Sequence, residues 1–211
     1  MDGTLASLHC PGRGVTGVVW WALAAPVVLL PTRRRPRVLV LGLGGGAVAR
    51  ALRKLAPTIE MVGVERDRAV VETARRHLGL DDLDLEVLTL DARDYLARER
   101  RSFDLIIEDL FVGSSRSVRK PDWLLEEGYP AIEKRLRPGG VVSANTIHEM
   151  PALARVVRRF RRPVVSLDVR GHWNRVVVCG RDVPQPREVR RRLGSHAALA
   201  GVLGRISVRR R

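Results

Sequence analysis

Short apolar runs alternate with stretches of helical period along most of this chain. Val38 to Leu41 form the first run, which suits a strand buried on both faces of a parallel sheet. Gly42, Gly44, Gly45 and Gly46 follow at once; they let the backbone turn sharply and leave no Cβ where a ligand must approach. From Ala47 to Leu55 the period becomes helical, with Val48, Leu52 and Leu55 on one face. A second run, Ile59 to Val64, ends in Glu65. The pattern then predicts a helix over Arg66 to Leu78, stopped by Gly79, and a third strand over Leu83 to Leu90 that ends at Asp91-Ala92. A short helix over Asp94 to Arg98 precedes a fourth strand, Phe103 to Ile107, which closes on Glu108 and Asp109. Beyond a polar loop, Val112 to Pro121, come a helix over Asp122 to Leu136, a Pro138-Gly139-Gly140 turn and a fifth strand over 141–145. A helix from about Glu149 to Arg159 leads to two last strands, Pro163 to Val169 and Arg175 to Cys179. Only RGHWN separates them, a link long enough for a hairpin but not for a helical crossover. The expected architecture is α/β, parallel except for an antiparallel strand at its end, without internal repeats.

Three segments follow from this pattern: an extension over 1–35, a ligand-binding domain over 36–182 and a basic helix or tail over 183–211. Gly17 to Leu30 is apolar, but it falls short of the ~20 residues a spanning helix needs, and Pro26 interrupts it. We expect no transmembrane segment there, but a helix covering one edge of the domain with Trp20 or Trp21 near a ligand mouth.

Bulk properties change the picture little. A chain of 211 residues is read as one domain with short extensions. Its net charge of +15 ordinarily raises nucleic acid as a partner. The basic residues are spread along the chain, however, and aromatics make up only 4%, so no stacking platform for single strands is evident. Nucleic acid stays open as a partner without being implied. Cys10 and Cys179 form no disulfide framework, which makes a reducing cytoplasm the default, and the five scattered histidines suggest no metal site.

Strand, glycine loop, helix, strand and an acid 23 positions after Gly42 make up a unit that binds the adenosine half of a nucleotide-like cofactor. Loop amides and the helix N-terminus are expected to face the ligand, and Glu65 to accept ribose hydroxyls. The pattern Gly42-x-Gly44-x-x-Ala47 fits NAD, while Gly42-x-Gly44-x-Gly46 fits S-adenosylmethionine (SAM). Asp91, placed to accept from an adenine amino group, the Pro-Gly-Gly turn and the terminal hairpin favour SAM. No Tyr-x-x-x-Lys or His–Asp arrangement suggests hydride transfer. Glu108 and Asp109 are expected near the sulfonium end, since acids at the carboxyl ends of parallel strands point into the ligand crevice.

The motifs VLVLGLGGGAVAR, VGVERD, LDARDYL, FDLIIEDLF, LLEEGYPAIEKRLRPGGVVSAN and NRVVVCG together resemble the spermidine synthase group, the polyamine aminopropyltransferases and their relatives in the class I SAM-dependent methyltransferase superfamily. The resemblance covers about Thr16 to Asp182. It implies a Rossmann-like class I SAM-dependent methyltransferase fold, a seven-stranded, mostly parallel sheet with a C-terminal antiparallel hairpin. It places Gly42, Leu43, Gly44 and Gly46 along the cofactor, Glu65 with Arg66 at the ribose, and Asp91 with Ala92 at the adenine. Asp109 matches the first acid of the family's active-site loop, which helps to bind and deprotonate the attacking amine.

Three departures stand out. Gly45 occupies the place of the acid in the family's GGGDGG loop, Asp109-Leu110-Phe111-Val112-Gly113 keeps only the first acid of D-S-S/T-D-P, and the N-terminal β-domain is shortened to about 35 residues. The expected function is a SAM-dependent transferase acting on a small amine. Methyl transfer is slightly favoured over aminopropyl transfer from decarboxylated SAM. Asp109 is the candidate base, helped by Glu108 and by Tyr129 on the following helix. A non-catalytic SAM- or nucleoside-binding partner subunit is the alternative from a different class. An RNA-modifying methyltransferase using the basic surface is a third reading; no Asn-Pro-Pro-Tyr type of loop follows strand four, which argues against the version that acts on exocyclic base amines. The group commonly dimerises, so a homodimer is compatible with the resemblance.

Overall fold

The computed structural model describes residues 9–10, 14–15, 17–31, 35–113, 117–159 and 163–211. At its centre lies β1 (Arg37–Leu41), whose Val38 and Val40 pack into one core while Leu39 and Leu41 pack into the other. A strand covered on both faces must read as a continuous apolar run. Each of these four side chains contributes roughly 1.5–3 kcal/mol by burial.

The remaining strands of the sheet are β2 (Glu60–Glu65), β3 (Glu86–Thr89), β4 (Phe103–Glu108), β5 (Leu136–Thr146), β6 (Val164–Val169), β7 (Arg175–Gly180) and β8 (Ile206–Arg210). Their order is β8-β6-β7-β5-β4-β1-β2-β3. Strands β1 to β5 pair in parallel; β7 runs antiparallel to both β5 and β6, and β8 antiparallel to β6.

This sheet has eight strands rather than the expected seven. The extra one, β8, comes from the C-terminal segment, read as a basic helix or tail; a helix does form there, Pro186–Gly194, ahead of the strand. It pairs along β6 from Ile206 opposite Val169 to Arg210 opposite Val165, with Ile206 and Val208 buried. Alternation of two apolar residues with Ser207 and Arg209 is the period-2 signal of an edge strand, brief enough to be masked by the basic composition around it.

Helices α2 (Ala47–Leu55), α3 (Arg68–Leu78), α4 (Ala92–Arg98) and α6 (Met150–Arg159) fall close to their predicted spans. Asp67 caps α3 by accepting from the N–H groups of Ala69 and Val70, and Gly79 ends it at a φ of 59°. The segment expected as one helix over Asp122 to Leu136 is helical from 122 to 134, with a wide π turn at Leu124–Gly128 leading into α5 (Tyr129–Lys134). Tyr129 N–H donates to the carbonyl of Leu124, five residues back. Pro130 has no N–H with which to continue the ordinary ladder at this point.

The N-terminal apolar stretch forms α1 (Val18–Ala24) and a 3₁₀ turn, Ala25–Leu29. It does not cover an edge. Every residue of α1 is buried, and the helix packs on α2 and across β5, β7 and β6 in the sheet's interior. Ser143 Oγ donates to the Leu23 carbonyl at 2.9 Å inside that contact. A seven-residue helix is marginal alone, so burial holds it. Among the described residues, no helix is long and apolar enough to cross a membrane.

Candidate active site

A cavity of about 770 Å³ opens at the carboxyl ends of the parallel strands, where the strand order reverses between β1 and β4. Gly42, Gly44, Glu65, Arg66, Asp91, Ala92 and Asp109, all expected at a cofactor, line it. Leu43 and Gly46 do not. Leu43 packs into the core, so close to Gly63 that a Cβ there would lie 2.7 Å from Leu43 Cδ2. Gly46 caps α2 in the left-handed region at a φ of 81°.

Four of the five amides from Gly42 to Gly46 are spent on the protein itself. Gly42 and Leu43 N–H both donate to the Val64 carbonyl at 3.0 Å, Gly46 N–H to the Leu43 carbonyl at 3.0 Å, and Gly44 N–H to Glu65 Oε2 at 2.9 Å. These four groups therefore fix the loop rather than face a ligand; what the glycines offer is room. A Cβ at Gly42, whose φ is 83°, would sit 2.6 Å from the Asp109 carbonyl oxygen. The Asp109 N–H donates to the Leu41 carbonyl at 2.9 Å, so the first loop glycine and the acid after β4 are held back to back.

Glu65 is locked from both sides, with Oε1 accepting the Asp67 N–H at 3.0 Å. Each oxygen keeps a second lone pair, so the carboxylate can still accept from a diol. Asp91 Oδ1 caps α4 through the Arg93 N–H at 2.7 Å, and the residue also lines the cavity.

Asp109 reaches the cavity, yet its carboxyl is closely packed by protein. This desolvation pushes its pKa up to about 6, against the opposing pull of the Asn145 amide and the Lys120 charge. Asn145, on β5, donates Nδ2–H to Asp109 Oδ1 at 2.7 Å and accepts from Asn174 Nδ2 at 3.1 Å. Both asparagines line the cavity, as do His172, Trp20 and Trp123. Sequence reasoning reached Trp20 but not Asn145, Asn174 or Trp123. The VVSAN motif held the only hint of Asn145, which is the polar residue at the carboxyl end of a buried strand. Trp21 belongs to the core.

The structure does not bring Glu108 and Tyr129 to the cavity. Glu108 is fully buried, with Oε1 accepting from Lys120 Nζ at 2.6 Å and Leu110 N–H at 2.7 Å, and Oε2 from Tyr129 O–H at 2.7 Å. Successive residues of a strand point to opposite faces, so Glu108 turns inward where Asp109 turns to the ligand side. Burial, reinforced by Glu108, holds the Tyr129 pKa well above its ordinary value. Lys120 lies 4.0 Å from the Phe111 ring centroid. This buried triad anchors the loop after β4. Among the described residues, no three His, Cys, Asp or Glu side chains converge as metal ligands.

Residues 38–140 match the methyltransferase domain family. A probable polyamine aminopropyl transferase of Bifidobacterium longum is 30% identical over 141 residues, covering 66% of this chain and 30% of that protein. Polyamine aminopropyltransferase 2 of Pseudomonas aeruginosa is 33% identical over 149 residues, covering 64% and 42%. The chain thus spans less than half the length of these relatives. Among solved structures, a probable spermidine synthase from Corynebacterium glutamicum superposes with a TM-score of 0.69 at 18% identity, over 99% of this chain and 77% of that one. Residues 38–140 thus carry a methyltransferase domain, the chain resembles the polyamine aminopropyltransferases in sequence, and its fold is the Rossmann-like one of the class I SAM-dependent methyltransferases and spermidine synthases.

Proposed function

We propose that the cavity binds decarboxylated SAM and that the chain is a transferase passing its aminopropyl group to an amine. Of the two branches expected from the sequence, this one is supported by the relatives named as aminopropyltransferases. The observation that carries it is the charge of the cavity. Its described lining holds the carboxylates Glu65, Asp67, Asp91 and Asp109, against Arg66, which adjoins Glu65, and His172. A wall of this kind suits a ligand that is cationic at both sulfonium and amine. SAM itself carries a carboxylate, and the basic side chains of the described lining are only Arg66, beside Glu65, and His172. The residues present fit the adenosine part as well, since Gly42 and Gly44 give room, Glu65 offers lone pairs to a diol, and Val64, Leu90 and Ala92 provide apolar lining.

When bound, the cofactor supplies an electrophilic propyl carbon, to which an amine nitrogen bonds as the carbon–sulfur bond breaks and its electron pair stays on sulfur. Asp109 takes the proton that the nitrogen must lose. With a pKa of about 6 it is largely ionised at pH 7 yet basic enough to accept a proton. Asn145, itself tied to Asn174, aims the carboxylate. Much of the acceleration would come from such positioning. Glu108, Lys120 and Tyr129 hold the loop and touch no reacting atom in this reading.

Gly45 favours the methyl-transfer reading, because the acid that helps spermidine synthases recognise decarboxylated SAM is missing at this position. Parallel calorimetric titrations with decarboxylated SAM, SAM, methylthioadenosine and NAD separate the readings. Preference for decarboxylated SAM is the expected result. Preference for SAM would move the work to methyl acceptors, and nucleoside binding without turnover would favour a partner subunit. Cysteine usage and the family together suggest a cytoplasmic setting.

A further inference from the structure

Beyond Asp109 the cavity changes character. Phe111, Val112, Val118, Pro121, Trp123 and Ile147 line this part, and none is charged. Val112 and Arg119 exchange backbone hydrogen bonds at 2.8 and 3.0 Å, folding the loop on itself so that Val112 and Val118 face the same space. Glu149 ties the far end down by accepting from the N–H groups of Lys120 at 3.2 Å and Ile147 at 3.0 Å. Behind the wall lie the Lys120 ammonium, against Phe111 and paired with the buried Glu108, and the Glu149 carboxylate, whose oxygens are taken up by those backbone N–H groups. A second ammonium placed here would lose its hydration and meet no carboxylate among these six residues.

We propose that the acceptor is a primary monoamine with an apolar body, its nitrogen at Asp109 and its body against Phe111, Val112 and Trp123, and that diamines and longer polyamines are poor acceptors. This deepens the transfer reading above and rests on it. The amine arrives as an ammonium, pairs with Asp109 and yields its proton there. The neutral nitrogen then forms the new carbon–nitrogen bond as the carbon–sulfur bond of decarboxylated SAM breaks toward sulfur; the product leaves as a secondary ammonium, and Asp109 releases its proton to water. Each methylene buried on the apolar wall raises affinity by about fourfold.

Butylamine and 1,4-diaminobutane share a four-carbon chain and differ by one amino group, so they isolate the second charge. Their binding, with that of phenethylamine, can be followed by tryptophan fluorescence and calorimetry with methylthioadenosine present and absent, alongside transfer from decarboxylated SAM. Butylamine and phenethylamine should bind at least tenfold more tightly than the diamine. Val112→Asp should reverse that order, and Trp123→Ala should weaken phenethylamine while sparing the diamine. Equal or tighter binding of 1,4-diaminobutane to the unaltered protein, or no binding of any amine, overturns the proposal. Monoamine preference without binding of decarboxylated SAM would instead sink the transfer reading and leave the acceptor wall standing. Efficient transfer to the diamine would do the reverse.

Discussion

Asn145 Nδ2 lies 2.7 Å from Asp109 Oδ1, bridging the carboxyl ends of the neighbouring strands β5 and β4 across the floor of the cavity. The bond favours the ionised carboxyl while burial opposes it, and burial wins, leaving a pKa of about 6.

If Asp109 is the base, kcat should rise with pH through about 6 and level off above it. Asp109→Asn should lower kcat by about 10²–10⁴ and abolish that limb. Stability moves the other way. The folded state holds this proton to a higher pH than the unfolded chain does, so ionisation between about pH 4 and 6 costs stability, at most roughly 3 kcal/mol. Denaturant titrations across that window should show the decline in the unaltered protein and not in Asp109→Asn.

Glu65 is held by the Gly44 and Asp67 amides, and so it tests the ribose end separately. Charge-assisted bonds to a diol are worth about 1.5–3 kcal/mol. Glu65→Gln should therefore weaken SAM, decarboxylated SAM and methylthioadenosine by a similar factor of about 10–100, since all three carry the same ribose. Calorimetry showing loss for only one of them would remove Glu65 from the shared part of the ligand.

The contrast between Asp109 and Glu108 shows what the sequence could and could not convey. Two acids at a strand end both read as cavity acids, but strand alternation sends one to the ligand and the other into a buried pair. The partner that decides this, Lys120, lies twelve residues on, in a stretch that reads as a polar loop. The glycine loop, Glu65 and Asp91 were legible because strand, turn, helix and acid recur at fixed spacing. Asn145 and Asn174 were not, because only the pairing of β5 with β7 brings residues 29 apart together. Likewise α1 was visible as an apolar helix, but its place over the sheet interior depends on Ser143 and its neighbours, far away in sequence.

Lys120→Met should act on stability rather than on the chemical step. It leaves Glu108 buried with Tyr129 and the Leu110 amide as remaining partners, and breaking such a pair costs about 3–5 kcal/mol. The double variant Glu108→Gln, Lys120→Met should recover part of the loss, because no uncompensated charge remains. Urea unfolding of both variants checks this. A large fall in kcat with unchanged stability would instead return Glu108 to the reaction.

Removing residues 204–211 deletes β8 and exposes the edge of β6. Burial of Ile206 and Val208 contributes about 3–6 kcal/mol together. Asp168 would also lose Arg209 at 3.4 Å and Arg211 at 3.0 Å. Those ion pairs are partly solvated and add little, so Arg209→Ala with Arg211→Ala should leave the melting temperature within a few degrees. Truncation should lower it by on the order of 10 °C and promote association, because β6 then presents unpaired backbone groups beside Val165, Leu167 and Val169. Calorimetry with light scattering distinguishes the two variants. Equal melting of the truncated and full chains would mean that the final strand contributes nothing to the sheet it extends, and that the seven strands before it suffice.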